Sequence, residues 1–250
     1  MMPKQERSLS QLSYLKSDTM RQRDTHKSEA YFRSYIESKE KAIAIQRQAA
    51  TSVSDTNHLR QLWLAIYRDE LELWIARYSA GEEITALTNI IDALDTYQQL
   101  PGSEPLNVHR LSDYIQSLWL ISIAYLLNLD KKCFNDVVAV INLSGKDAIL
   151  DWLIRLRIPE HPQAAIIIYP DAYIDLYNAL SATGEEQNKW LHSFTVNYYE
   201  RIKNVYWMEI DPETGNYFGR WLFELAAFVK ADLLNDESII NNPHYPKDLV

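Results

Sequence analysis

Glu224 has the strongest claim to chemistry of any side chain in the sequence. It is a carboxylate inside Gly219-Arg-Trp-Leu-Phe-Glu-Leu-Ala-Ala-Phe-Val-Lys230, a run that is otherwise almost wholly apolar. Burial raises the proton affinity of a carboxyl and suits it to general acid or base work. A lone carboxylate with neither a nucleophile nor a metal partner in view is weak ground for catalysis, and the structural reading is favoured, in which it pairs with Arg220 one turn earlier or ties down a neighbouring loop. His244, Tyr245 and Asp248 offer themselves as partners, but they fall in Asn242-Pro-His-Tyr-Pro-Lys-Asp-Leu-Val250. Two prolines there point to a tail that docks through Tyr245 and Leu249.

A second group is acidic. Asp171, Asp175, Glu185, Glu186, Asp211 and Glu213 stand at predicted turns and helix starts in the second half of the chain. Singly they suit the positive end of a helix dipole. Together they form an acidic surface of the kind that meets a basic partner. The six histidines, His26, His58, His109, His161, His192 and His244, are scattered, with no two at ligand spacing on one helix. Cys133 is alone, so neither an intramolecular disulfide nor a multi-cysteine zinc site can form. P-loop, dinucleotide glycine and His-Glu-x-x-His patterns are absent. The expectation is therefore a protein with no catalytic residue, no cofactor and no metal.

The elements that position these residues read as helices. Only 6 glycines occur in 250 residues, against 16 Tyr and 7 Trp; strands joined by hairpins would need more glycine-containing turns. Apolar periodicity predicts helices over about 24–50, 56–79, 82–100, 108–129, 132–142, 146–156, 170–180, 187–207 and 217–234. Ser54 or Asp55 is expected to cap the second and Gly81 to end it, with Glu82 and Glu83 opening the third. Ser144 is the expected cap of the sixth, and Gly184 the end of the seventh. The segment Ala164-Ala-Ile-Ile-Ile-Tyr169 is the one place where a strand is conceivable, although its continuation through Pro170 favours a lead into a helix. The 108–129 helix should be buried. The 217–234 helix should be central: with Arg220 set to 0°, Glu224 falls near +40° and Lys230 near −80°, so about a third of its surface can be polar.

The predicted fold is an all-α, compact multi-helix array of about eight to nine helices in two closely packed halves. Residues 1–18 read as a flexible leader, 19–129 as an N-terminal helical domain and 130–250 as a C-terminal one. The net charge of −9 is uneven. Residues 1–50 hold 10 of the 25 Lys and Arg but 6 of the 34 Asp and Glu, about +4, which leaves about −13 for the rest. An acidic body disfavours direct nucleic-acid binding and favours a basic protein partner. With no secretory signal and no apolar stretch approaching 18 residues, the expected setting is soluble and cytoplasmic, without membrane association. The aromatic content is also compatible with a homodimer.

Tyr78-Ser-Ala-Gly-Glu-Glu-Ile84, Leu118-Trp-Leu-Ile-Ser-Ile-Ala-Tyr-Leu-Leu127, Gly219-Arg-Trp-Leu-Phe-Glu-Leu-Ala-Ala-Phe-Val-Lys230 and His244-Tyr-Pro-Lys-Asp-Leu-Val250 together resemble the polymorphic nuclease (PoNe) immunity family, PoNi. The resemblance spans roughly residues 20–250, and its C-terminal block is the specific part. It implies an all-helical protein with N- and C-terminal immunity domains that binds and neutralises a cognate bacterial DNase toxin. Such toxins are often delivered between competing bacteria by a secretion system such as type VI. Gly219, Trp221, Glu224, Tyr245, Pro246 and Asp248 match the family as a fold signature. Arg220 departs from it, standing where an aromatic residue is expected. The competing readings are a small helical enzyme using Glu224 and a helical adaptor for another partner. A pocket in which Glu224, a histidine and a substrate-sized void converge would favour the enzyme.

Overall fold

The computed structural model describes residues 22–84, 87–106, 108–143, 145–208 and 217–250; the predicted leader lies outside them. Nine α-helices run through these residues and none of them forms a strand. They are α1 (Glu29–Ala50), α2 (Thr56–Ala80), α3 (Thr88–Gln99), α4 (Leu111–Leu126), α5 (Lys131–Ile141), α6 (Ala148–Arg155), α7 (Pro170–Ser181), α8 (Gly184–Arg201) and α9 (Phe223–Lys230). The chain is an all-α compact array, as its periodicity predicts.

Local chemistry explains the boundaries. Ser28 caps α1 by accepting from the Tyr31 amide, and Asp55 caps α2 by accepting from His58. Gly81 ends α2 at φ 96°, a left-handed position that glycine takes without steric cost. Asp130 caps α5 and Pro170 opens α7, where its missing N–H costs nothing. Several boundaries differ from expectation. The α3 helix starts at Thr88, so Glu82 and Glu83 are not in its first turn; the Glu82 amide instead closes the end of α2 on the Arg77 carbonyl. Ser144 lies outside the described residues, and Asp147 caps α6 by accepting from the Ile149 and Leu150 amides. Gly184, at φ 62°, opens α8, whereas α7 stops earlier at Ser181. Residues 164–169 form neither strand nor helix but an irregular connection into α7.

The main correction concerns the central helix. It covers Phe223–Lys230, not 217–234. Tyr217–Leu222 is an extended, buried segment, and Gly219 sits at φ 122°, a conformation no helix contains. Neighbouring elements satisfy the backbone here in place of a helix ladder. Tyr31 of α1 donates its hydroxyl to the Tyr217 carbonyl and accepts from the Tyr217 amide, and the Leu222 amide reaches the His244 carbonyl.

The α9 helix packs against α4 at the middle of the molecule, while α1, α2 and α3 stack in sequence on one side and α7 and α8 form a helical hairpin on the other. Thirteen of the 16 residues of α4 and seven of the eight of α9 are buried, so these two helices are the core of the array. Phe223 ties α9 to both α2 and α4. Its ring lies 5.8 Å from those of Trp74 and Tyr78 on α2 and 6.4 Å from Trp119 on α4. Each such buried aromatic contributes roughly 2–3 kcal/mol through area removed from water.

Candidate functional site

Of the signature residues, Gly219, Trp221, Tyr245, Pro246 and Asp248 lie at the seam between the end of α2 and the C-terminal tail, and Glu224 does not. Gly219 brings its backbone against Ser79 of α2; a Cβ there would collide with the Ser79 hydroxyl and the Trp221 indole. The Ser79 hydroxyl faces the Ile75 and Phe218 carbonyls at 2.8 and 2.9 Å and accepts from Trp221 Nε1 at 2.9 Å. Asp248 accepts from the Tyr78 hydroxyl and pairs with Arg23. Arg23 also donates to the Tyr78 and Glu82 carbonyls, at 3.0 and 2.7 Å, with its guanidinium 4.5 Å above the Tyr78 ring. Burial, reinforced by Asp248, pushes the Tyr78 hydroxyl far above its ordinary range, so it stays a donor. Tyr245 is buried and donates to Asp236 at 3.2 Å, and Pro246 is buried beside it. A groove of about 750 Å³ runs over this seam, lined by Arg23, Tyr78, Trp221, Tyr245 and Asp248 among others. Sequence reasoning missed Arg23 and Ser79, because their partners lie far along the chain.

Glu224 is in neither this groove nor an ion pair with Arg220. Arg220 precedes α9 on the extended segment, so helical spacing does not apply to it; its guanidinium lies 5.7 and 5.8 Å from the Tyr199 and Tyr217 ring centres. The Glu224 side chain is fully buried and points to the α7–α8 hairpin. Its Oε1 accepts from the Tyr173 hydroxyl at 3.3 Å, Tyr173 and Tyr198 share a hydrogen bond of 2.7 Å, and Oε2 has no partner. Desolvation pushes the Glu224 carboxyl up to about 7, against the pull of the Tyr173 and Tyr198 hydroxyls. His244, set aside as a partner for Glu224 in favour of a docking tail, places Nδ1 2.9 Å from the Arg220 carbonyl and stacks on His26 at 5.4 Å, and burial holds its imidazole below the ordinary range.

The predicted acidic surface is divided. Asp171 in the first turn of α7 and Glu185 and Glu186 in the first turn of α8 are exposed. Asp175 is buried, accepting from Ser193 at 2.6 Å and pairing with Arg201 at 2.8 Å, so it braces α7 against α8 and does not reach solvent. Asp211 and Glu213 lie outside the described residues. Among the described residues no group of three His, Cys, Asp or Glu side chains is placed to hold a metal ion, and no helix is long and apolar enough to cross a membrane.

Comparison with known proteins agrees with this architecture. Among solved structures, the crystal structure of protein PA2201 from Pseudomonas aeruginosa superposes with a TM-score of 0.69 over 91% of this chain and 88% of that one. At 17% identity, that likeness concerns the fold alone. A search of curated proteins finds no match. Residues 23–139 match the N-terminal family of PoNe immunity proteins (PoNi), and residues 145–249 match the C-terminal PoNi family. With both parts matched in order over nearly its whole length, the chain belongs to the PoNe immunity protein family.

Proposed function

We propose that this protein binds a cognate bacterial DNase toxin of the PoNe type in the cytoplasm and neutralises it, protecting the cell that makes both during competition between bacteria. The observation that carries the reading is the match to both PoNi families across the chain. In this account residues 19–129 and 130–250 are the N- and C-terminal immunity domains, and the toxin is met by acidic side chains of the second. Asp171, Glu185 and Glu186 are exposed carboxylates on the α7–α8 hairpin, and Asp211 and Glu213 complete the proposed set. They would face the basic, DNA-binding side of the nuclease, and so cover its active site or deny it DNA. Steering by an acidic body of about −13 over residues 51–250 speeds encounter and makes it salt-dependent.

Co-expression with its cognate nuclease, followed by affinity capture, tests the reading. Wild type is expected to co-purify and protect the host, while the Glu185→Lys, Glu186→Lys double variant keeps its fold and binds at least tenfold more weakly. A wild-type protein that neither binds nor protects overturns the function. A double variant that binds as wild type overturns the assignment of the surface.

A further inference from the structure

The Glu224 site is an acid placed where its charge has almost nothing to answer it. The side chain is fully buried, one carboxyl oxygen has a single long contact and the other has none. An ionised carboxylate in such a place is costly, while a neutral acid can donate its proton and needs fewer partners. The groups facing it come from α4, α7 and α8. Tyr114 of α4 has its hydroxyl committed to Asp147 at 2.9 Å. Tyr173 of α7 bonds both Tyr198 of α8 and Glu224, and the nearby Tyr198 hydroxyl adds to the pull on the carboxyl. Tyr199 of α8 is partly buried with a buried, unpartnered hydroxyl, and its field includes Glu224, Tyr217, Arg220 and Asp24, with the His244 ring 4.4 Å away. Burial drives the hydroxyls of Tyr114, Tyr173, Tyr198 and Tyr199 far above their ordinary range, so none of these four loses a proton under working conditions.

We infer that Glu224 is held as the neutral acid in the folded protein and forms, with Tyr173 and Tyr198, a proton-dependent latch between α9 and the α7–α8 hairpin. The upward displacement of the carboxyl, from 4.5 to about 7, fits this geometry. Because the folded state holds the proton more tightly than the unfolded chain, the latch contributes fully below pH about 4.5 and is lost as pH rises through about 7. His244 acts in the opposite sense, since its folded imidazole is held below the ordinary range and its contribution fades as pH falls. The hairpin that the latch secures carries Asp171, Glu185 and Glu186. Alkaline release therefore also weakens toxin binding, a consequence that rests on the function proposed above; the latch itself does not.

Urea unfolding of wild type and Glu224→Gln between pH 5 and pH 9 isolates the Glu224 contribution, because the variant leaves His244 in place. The folding constant of wild type is expected to fall roughly two orders of magnitude more than that of the variant over this range. Amide exchange, corrected for its intrinsic pH dependence, should show the wild-type loss in α7, α8 and α9. Superposable pH profiles would overturn the latch. If Glu224→Gln does not fold, a carboxyl titration of wild type labelled with 13C-glutamate decides. One glutamate with a midpoint near 7 supports the latch, and all glutamates titrating in the ordinary range refute it. With the toxin, wild-type affinity should fall above pH 7 and that of Glu224→Gln should not. Absence of binding at every pH would refute the proposed function and leave the unfolding result to judge the latch.

Discussion

Asp147 and Asp151 at the start of α6 are as fully buried as Glu224 in α9, yet they are surrounded by donors and Glu224 is not. Asp147 accepts from the amides of Ile149, Leu150 and Ile168 and from the Tyr114 hydroxyl, at 2.8 to 3.0 Å. Asp151 accepts from the amides of Gly145 and Ala164 at 3.1 and 2.8 Å, with His161 Nε2 at 2.9 Å. Together they fix the connection between α6 and α7, an irregular segment whose backbone would otherwise lack partners. Burial still raises the Asp147 carboxyl, although the Ile168 and Leu150 amides and the Tyr114 hydroxyl pull against it. The contrast teaches that buried carboxylates in one fold serve different ends. Two replace missing backbone partners and act as fixed structure; the third is left short of donors and responds to pH.

Substitutions separate these roles in order of size. Asp147→Ala or Asp151→Ala strips donors of their acceptor inside the protein and should cost on the order of 3–5 kcal/mol in chemical denaturation. The same loss from Glu224→Gln at pH 5 would erase the distinction. Glu224→Gln should instead gain about 3 kcal/mol relative to wild type between pH 5 and pH 9, following the displacement of the carboxyl to about 7. Gly219→Ala, which tests the signature seam rather than either carboxylate site, should cost about 2 kcal/mol through backbone strain and the clash with Ser79. Glu185→Lys with Glu186→Lys should cost only about 1 kcal/mol, through the helix-dipole interaction of two exposed first-turn carboxylates. A larger change would mean that the hairpin start is structural rather than a docking surface.

Helix periodicity was readable because it is a local property. The buried α4, the Asp55 cap, the Pro170 start of α7 and the stop at Gly81 follow from residues within one or two turns of each other. The run Tyr217–Leu222 misled because an extended segment buried on all sides is as apolar as a buried helix. Only Gly219, whose φ of 122° excludes a helix, marks the difference. The expected Arg220–Glu224 pair failed for the same reason, since its spacing has meaning only within a helix. The role of Asp175 was hidden because its partner Arg201 lies on α8, far along the chain. Asp147 and Asp151 left a trace in the sequence, two acids four residues apart interrupting the apolar stretch that becomes α6. The amides they bind, at Gly145, Ala164 and Ile168, are set by tertiary structure alone.

The central claim is that this chain silences a DNase by binding it. The most direct measurement is cleavage of plasmid DNA by the purified cognate nuclease, titrated with the purified protein near neutral pH and low salt. Cleavage is expected to stop at about one equivalent and to return as salt is raised. Undiminished cleavage in the presence of excess folded protein would contradict the account.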